Sequence, residues 1–293
     1  MSLLSKKERS AQLIGNFESM ICPICESAMY IEDLRLICKN KHAFDIARQG
    51  YVNLLNQSLN TNYNKQLFES RKRLITNTAF FTNLHEKITE VILNGRFNST
   101  INVLDAGCGE GSHLSQIHHS LIESEANIKT AIGIDISKEG ILEAAKYYQG
   151  QMWFVANLSN LPFKDHTFNI ILNILSPANY REFARVLKPN GMVIKVVPQK
   201  NYLKELRLFN DGDDNHSFYS NEKMVDLFHE QFTNVQKERL HYEINLEKTN
   251  INELLKMTPL TWEWSKEKVE RFKNTASHTI TIDFDVLIGR KDS

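Results

Sequence analysis

Cys22, Cys25, Cys38 and His42 form the set Cys-x2-Cys-x12-Cys-x3-His, which takes up three of the chain's four cysteines. Thiolate and imidazole donors at this spacing are what a tetrahedral Zn²⁺ ion requires. The first pair shares one tight turn in Cys-Pro-Ile-Cys, and the second closes the tetrahedron across a short hairpin. With all four positions filled by protein, the metal is structural and holds together a module too small to fold alone. A redox Cys-x-x-Cys is disfavoured, because nothing thioredoxin-like surrounds it.

A second chemistry-bearing segment is Leu104-Asp-Ala-Gly-Cys-Gly-Glu-Gly111. It follows an apolar strand and precedes a helix, where a glycine-rich turn lets backbone N–H groups approach a ligand. Its glycines, Gly107, Gly109 and Gly111, read G-x-G-x-G, and Ser112 stands where a dinucleotide fingerprint needs glycine. That favours a nucleoside cofactor without a pyrophosphate, S-adenosylmethionine. Asp105 is placed to orient the loop and attract the ammonium of the methionine moiety, with Glu110 inside the loop. Asp135, in Gly133-Ile-Asp-Ile-Ser137, is expected to accept from the ribose hydroxyls, with Ile136, Asn157 and Leu158 beside the adenine. Cys108 has no partner placed to make it a nucleophile, so packing explains it.

The elements that position these groups follow from the texture of the chain. Short apolar runs at 101–106, 129–135, 152–157, 168–174 and 192–197 alternate with helical stretches, the longest near 138–148 and another at 179–187, so the fold class is α/β with a mostly parallel sheet. Residues 277–291 add a closing strand, antiparallel at an edge. Apolar residues from Gln66 to Leu93 recur at helical spacing with a break near 76–82, which predicts two helices. Residues 57–65 read as a linker, and Gly50-Tyr-Val-Asn-Leu-Leu as an apolar run packing back onto the knuckles. The expected organisation is an N-terminal extension (1–19), a zinc-binding module (20–57), a helical linker (58–98) and a cofactor-binding domain (99–293). Trp262 and Trp264 are expected to pack a small C-terminal subdomain rather than to stack on RNA.

Lys plus Arg equals Asp plus Glu at 35 each, so global charge does not argue for nucleic acid. Its distribution does: residues 35–73 are strongly basic, and Arg35, Lys39, Lys41, Arg48, Arg71, Lys72 and Arg73 are the expected phosphate contacts. No apolar run reaches the roughly 18 residues of a membrane span, and the N-terminal residues lack a signal peptide's apolar segment, so a cytoplasmic protein without membrane contact is expected.

The metal quartet, Ala43-Phe-Asp-Ile-Ala-Arg-Gln-Gly-Tyr-Val-Asn-Leu-Leu55, LDAGCGEG, LPFKD, Arg185-Val-Leu-Lys-Pro-Asn-Gly191, Tyr202-Leu-Lys-Glu-Leu206 and Met257-Thr-Pro-Leu-Thr-Trp262 together resemble the zinc-containing 23S rRNA guanine-N1 methyltransferases of the RlmA/RrmA type, over residues 20–290. The resemblance implies a class I methyltransferase fold with a seven-stranded, mostly parallel sheet. It implies methyl transfer from S-adenosylmethionine to N1 of a guanine in a 23S rRNA hairpin gripped in part by the zinc module. A homodimer and, in some members, resistance to macrolide-type antibiotics also go with it. By family position Phe81 and Tyr202 flank the cofactor or base, and Asn173, Ser176, Pro177 and Asn179 wall the target base. No general base stands out, and Leu175 occupies a position where the family often has an aromatic residue. The rival readings are a small-molecule, quinone-type methyltransferase, to which a zinc module is of no use, and a non-catalytic RNA-binding protein on the same fold, which the intact Asp105, Gly107, Gly109 and Asp135 oppose.

Overall fold

The computed structural model describes residues 4–55, 63–95, 97, 100–211, 220–275 and 279–291. The chain opens with helix α1 (Lys6–Gly15), started by a capping box in which Ser5 and Glu8 satisfy each other's backbone N–H. Strands β1 (Met29–Glu32), β2 (Arg35–Cys38) and β3 (Ala43–Asp45) form a small antiparallel sheet, and β4 (Tyr51–Asn53) follows. Two helices come next, α2 (Lys65–Asn77) and α3 (Thr82–Leu93), broken where the periodicity breaks. Then come β5 (Ile101–Ala106), α4 (Ser112–Glu123), β6 (Ile128–Asp135), α5 (Lys138–Tyr147), β7 (Met152–Val155), β8 (Phe168–Ile174), α6 (Tyr180–Val186) and β9 (Leu187–Pro198). The last part holds α7 (Lys204–Asp211), α8 (Glu222–Gln231), β10 (Asn234–Asn245), α9 (Lys248–Met257), α10 (Lys266–Lys273) and β11 (Thr279–Arg290).

The main sheet runs in the order β10-β11-β9-β8-β5-β6-β7-β4. Pairs from β4 to β9 are parallel, and β11 lies antiparallel between β9 and β10. The chain leaves β5 toward β6 on one side and returns to β8 on the other, so the end of β5 is a topological switch point. Alternate residues of each strand serve opposite faces. Val103, Trp153, Ile170 and Ile194 pack under α2, α3, α4, α5 and α9, while Leu104, Phe154, Ile171 and Val193 pack under α1, the zinc module, α6 and α8.

Several expectations need correction. The sheet has eight strands rather than seven, because β4 pairs in parallel with β7 and extends an edge that seven strands would leave open. The Gly50–Leu55 run therefore does more than pack onto the knuckles. Residues 1–19 are not a bare extension: Ala11, Ile14 and Phe17 are buried in the same cluster as Cys22, Cys38 and Phe163. The helices of the linker region are likewise core elements, burying Leu74, Phe81, Leu84 and Ile88 against the sheet. Strand β11 is interior, covered by β10, a strand the sequence does not announce. Asn234–Asn245 carries charged or polar residues on every exposed position and only Val235, Leu240, Tyr242 and Ile244 as apolar residues, so its pattern is that of a solvated edge. Residues 57–62 of the expected linker lie outside the described residues, whereas Asn64 caps α2 through its side chain.

The zinc module is joined to the sheet by main-chain contacts, Ile21 N–H to Pro162 O at 3.0 Å, Lys164 N–H to Ser19 O at 2.9 Å and Leu54 N–H to Val155 O at 2.9 Å. Beneath them Phe163 meets the rings of Phe17, Phe154 and Phe168. A ring shared by the N-terminal helix, the module and the sheet makes them one cooperative unit. Phe163→Ala is expected to cost about 3–5 kcal/mol and to shift a single denaturant transition followed at both the module and the sheet. Two separated transitions in the unmutated chain would contradict this.

Candidate active site and metal centre

The metal-ligand set predicted from spacing converges. The donor atoms of Cys22, Cys25, Cys38 and His42 all lie within 4.8 Å of one another. The Cys25 and Cys38 sulfurs are 3.7 Å apart, and His42 Nδ1 is 3.5 Å from the sulfurs of Cys22 and Cys38. A tetrahedron with Zn–S near 2.3 Å and Zn–N near 2.05 Å has edges of about 3.8 Å between sulfurs and about 3.5 Å from sulfur to nitrogen. The donor set therefore fits Zn²⁺. Ser27 contacts the Cys25 sulfur at 3.1 Å, and its hydrogen bonds hold the thiol's pKa down to about 5, so this ligand is ready as thiolate.

At the end of β5 the glycine loop takes the left-handed conformations that its residues allow, with φ of +88° at Gly107 and +79° at Gly111. A Cβ at Gly107 would lie 1.9 Å from Ser176 Oγ, and one at Gly111 would lie 2.5 Å from the Trp153 ring. The first contact brings the loop after β8 against the loop after β5. The second seats the turn on the most N-terminal residues of β7. Asp135 joins the same cluster: Gly109 N–H donates to Oδ2 and Ser137 N–H to Oδ1, each at 2.8 Å. Asp135 thus latches the glycine loop, while Ser137 caps α5.

Asp105 is 1% exposed, and among the described residues neither of its carboxylate oxygens has a hydrogen-bond partner. Burial raises its pKa to about 8, with Asp135 and Glu110 adding to the effect and Arg71 opposing it. Burial would depress the Arg71 guanidinium, but Glu110, Asp135 and Asp105 together raise it. Three carboxyl groups around one guanidinium, two of them without a hydrogen-bond partner among the described residues and Glu110 of these held only by its ion pair with Arg71, suit a ligand carrying both an ammonium and a carboxylate. The amino-acid end of S-adenosylmethionine has both, so the residues present fit that cofactor. Cys108, between the glycines, is buried with its thiol pushed well up by burial and by the same carboxylates.

The other expected site residues are distributed as follows. Ile136 is half-buried beside Asp135, and Leu158 reaches within 4.0 Å of the position a Gly107 Cβ would take. Asn157 is exposed and closes its own turn by accepting from Ser159 N–H at 2.9 Å. Phe81 is buried, stacked at 6.1 Å on Phe284, and Tyr202 packs on the same ring at 4.7 Å. The two residues assigned by family position are therefore joined through a third that sequence reading did not single out. Ser176 and Pro177 front the loop, but Asn173 is fully buried and donates to Ala106 O at 2.7 Å and Pro177 O at 2.9 Å. Asn179 caps α6 by accepting from Glu182 N–H at 3.2 Å. Asn173 and Asn179 thus have their side chains committed to protein groups.

The basic set divides in two. Arg35, Lys39, Lys41 and Arg48 are exposed on the zinc module and make no ion pair among the described residues. The three from α2 are turned elsewhere, which corrects their reading as phosphate contacts. Arg71 pairs with buried Glu110 at 3.3 Å, Lys72 lies over the Tyr147 ring, and Arg73 pairs with Glu253 at 2.7 Å to clamp α2 on α9. Trp264 packs with Phe209 and Phe272 as expected. Trp262 does not: it is 43% exposed, edge-on at 5.8 Å to Tyr63, whose ring in turn leans on Phe68. Phe68 touches the glycine loop, 3.4 Å from a Cβ position at Gly109. Sequence reading also missed Lys195 on β9, whose one signal is a cation inside the apolar run Met192-Val-Ile-Lys-Val-Val.

Residues 20–57 match the family model described as RlmA, N-terminal, a zinc ribbon, and residues 103–191 match the model described as a methyltransferase domain. The chain is 43% identical over 279 residues, 94% of its length and 98% of the relative's, to a Bacillus subtilis protein provisionally named 23S rRNA (guanine-N(1)-)-methyltransferase YxjB. It is 26% identical to the 23S rRNA (guanine(748)-N(1))-methyltransferase of Streptomyces fradiae, over 85% of this chain and 88% of that one. The crystal structure of YcgJ from Bacillus subtilis aligns with 71% of this chain and 99% of that one, at 20% identity and a TM-score of 0.46.

The raised pKa of Asp105 carries a sign that can be checked. Across the interval from about pH 4, where an unfolded aspartate ionises, to about pH 8, the folded chain keeps a proton that the unfolded chain has lost. Stability due to this group therefore falls as pH rises through that window. In denaturant titrations without ligand, Asp105→Asn is expected to gain about 1–3 kcal/mol on the wild type between pH 4.5 and pH 8. A difference independent of pH would contradict it.

Proposed function

Because the chain belongs to the 23S rRNA (guanine-N1)-methyltransferase family with an RlmA-type N-terminal zinc ribbon, we propose that it methylates N1 of a guanine in a hairpin of 23S rRNA, in the cytoplasm. The observation that carries this reading is the shared sheet. The ribbon, with exposed Arg35, Lys39, Lys41 and Arg48 that make no ion pair among the described residues, is the eighth strand's parent module, on the sheet that holds the glycine loop at its switch point. A quinone-type methyltransferase leaves that basic module without a task.

S-adenosylmethionine, when bound, supplies a methyl group on a sulfonium that is already a good leaving group. The task left to the protein is to hold and orient. Asp105 would hold the ammonium and Arg71 the carboxylate of the methionine moiety. Asp135 would take the ribose hydroxyls, with Ile136, Asn157 and Leu158 along the adenine. Ser176, which lies against Gly107, and its neighbour Pro177 would meet the guanine, extruded from its hairpin as base-modifying enzymes require. Guanine N1 gives up its proton as it takes the methyl; no carboxylate or imidazole lies in 173–179, so the proton's acceptor is water, a backbone carbonyl or a side chain outside that segment. The exposed Tyr63 and Trp262 rings, one ring removed from the glycine loop through Phe68, would stack the nucleotides beside the extruded base.

Incubation with labelled S-adenosylmethionine and unmodified 23S rRNA is expected to place label in the RNA and to halt primer extension at one guanine, since an N1-methyl blocks pairing. Label confined to small molecules would sink the proposal. Trp262→Ala is expected to weaken binding of the target hairpin about tenfold with donor binding unchanged, as measured by fluorescence anisotropy and calorimetry; unchanged hairpin affinity would remove the stacking role.

A further inference from the structure

The loop that follows β8 is held in a conformation its residues do not prefer. Leu175 has φ of +52°, a left-handed backbone that a branched, non-glycine side chain rarely adopts. Such outliers persist only where surrounding contacts over-determine them, and they gather at sites of function. Here the contacts can be traced. Lys195, 3% exposed in the middle of β9, donates from Nζ to Asn173 Oδ1 at 2.5 Å and to Ser176 O at 3.0 Å. Asn173 passes the constraint on, donating to Pro177 O at 2.9 Å and to Ala106 O at 2.7 Å. Leu175 N–H closes the set on Val196 O at 3.1 Å.

Both ends of this network are at the site. Ala106 is the residue before Gly107, and Ser176 is the residue whose Oγ fills the space a Gly107 Cβ would need. One buried amine therefore fixes the carbonyls of the acceptor-side loop and, through Asn173, the last strand residue before the cofactor loop. Burial lowers its pKa to about 8, and its two hydrogen bonds use both N–H groups of the neutral amine or two of the three of the ammonium. A lysine in the middle of a central strand costs desolvation that a leucine or valine would avoid. Packing alone gives no reason for it.

We propose that Lys195 is a positioning residue for methyl transfer, holding residues 174–178 in the strained shape that presents the target base opposite the cofactor loop. The inference rests on the rRNA methyl-transfer reading, and the two fail differently. A wild-type chain that methylates no 23S transcript overturns that reading, whereas the variants below are judged against an active wild type.

Lys195→Met keeps the length of the side chain and removes its donors. The expected result is a fall of about a hundredfold in kcat with KM for the RNA changed less than threefold. Calorimetry should show donor affinity within about threefold of wild type and a stoichiometry near one, so that lost folded protein does not explain the loss. Adding Leu175→Gly, which lets the backbone adopt the positive φ without being held there, is expected to restore kcat at least fivefold in the Lys195→Met background relative to Lys195→Met alone. Asn173→Ala, which cuts the same ties from the other end, should give the same split between kcat and donor affinity and provides the test if Lys195→Met does not fold. A kcat within threefold of wild type, donor affinity falling in step with kcat, or no recovery with glycine at 175 would each overturn the proposal.

Discussion

The parallel pairing of Tyr51–Asn53 with Trp153–Val155 is the constraint on which the arrangement of this molecule depends. Three residues at the end of a metal-held module donate a strand to a sheet that would otherwise stop at β7. The pairing fixes the module's orientation on the same face as α1, α6 and α8. It also brings the Cys22–Cys25 knuckle to the carboxyl ends of the strands, where Asn160 Nδ2 donates to Pro23 O at 3.4 Å. A module on a flexible tether would present its basic surface in many orientations. One sewn into the sheet presents it in a single orientation relative to the glycine loop, and the ordering cost is met at folding rather than at each binding event.

The site is built from groups that oppose one another. Asp105, Glu110 and Asp135 crowd one guanidinium, Ser176 presses on Gly107, and Leu175 is held at positive φ. None of these is the lowest-energy choice for an empty fold. Together they describe a charged cluster at the glycine loop and a second loop held against it, which is the form preorganisation takes when chemistry asks only for alignment.

Much of this was legible in the sequence wherever the signal is local. The Cys and His spacing is set by one turn and one hairpin, and the G-x-G-x-G loop by one strand-to-helix junction, so both read directly. The five central strands announce themselves because strands buried on both faces are continuously apolar. Illegible features are those that depend on a distant partner. Arg71 to Arg73 look like a solvated run, yet α2 turns one toward Glu110, one over Tyr147 and one onto Glu253. Strand β10 hides because its solvent face is charged. Asn173 reads as a substrate contact until Lys195, more than twenty residues on, is seen to occupy it. Trp262 and Trp264 are chemically alike in sequence, and only the neighbours of each separate an exposed ring from a packed one.

The unpartnered carboxyl of Asp105 reaches beyond catalysis. A chain that keeps an uncompensated acid in its interior is less stable empty than filled, and a ligand that satisfies it stabilises the fold by mass action. The population of opened molecules exposed to proteases then depends on how much methyl donor is at hand. A methyl donor whose ammonium pairs with this carboxyl would make the lifetime of the protein a readout of the supply of its own co-substrate.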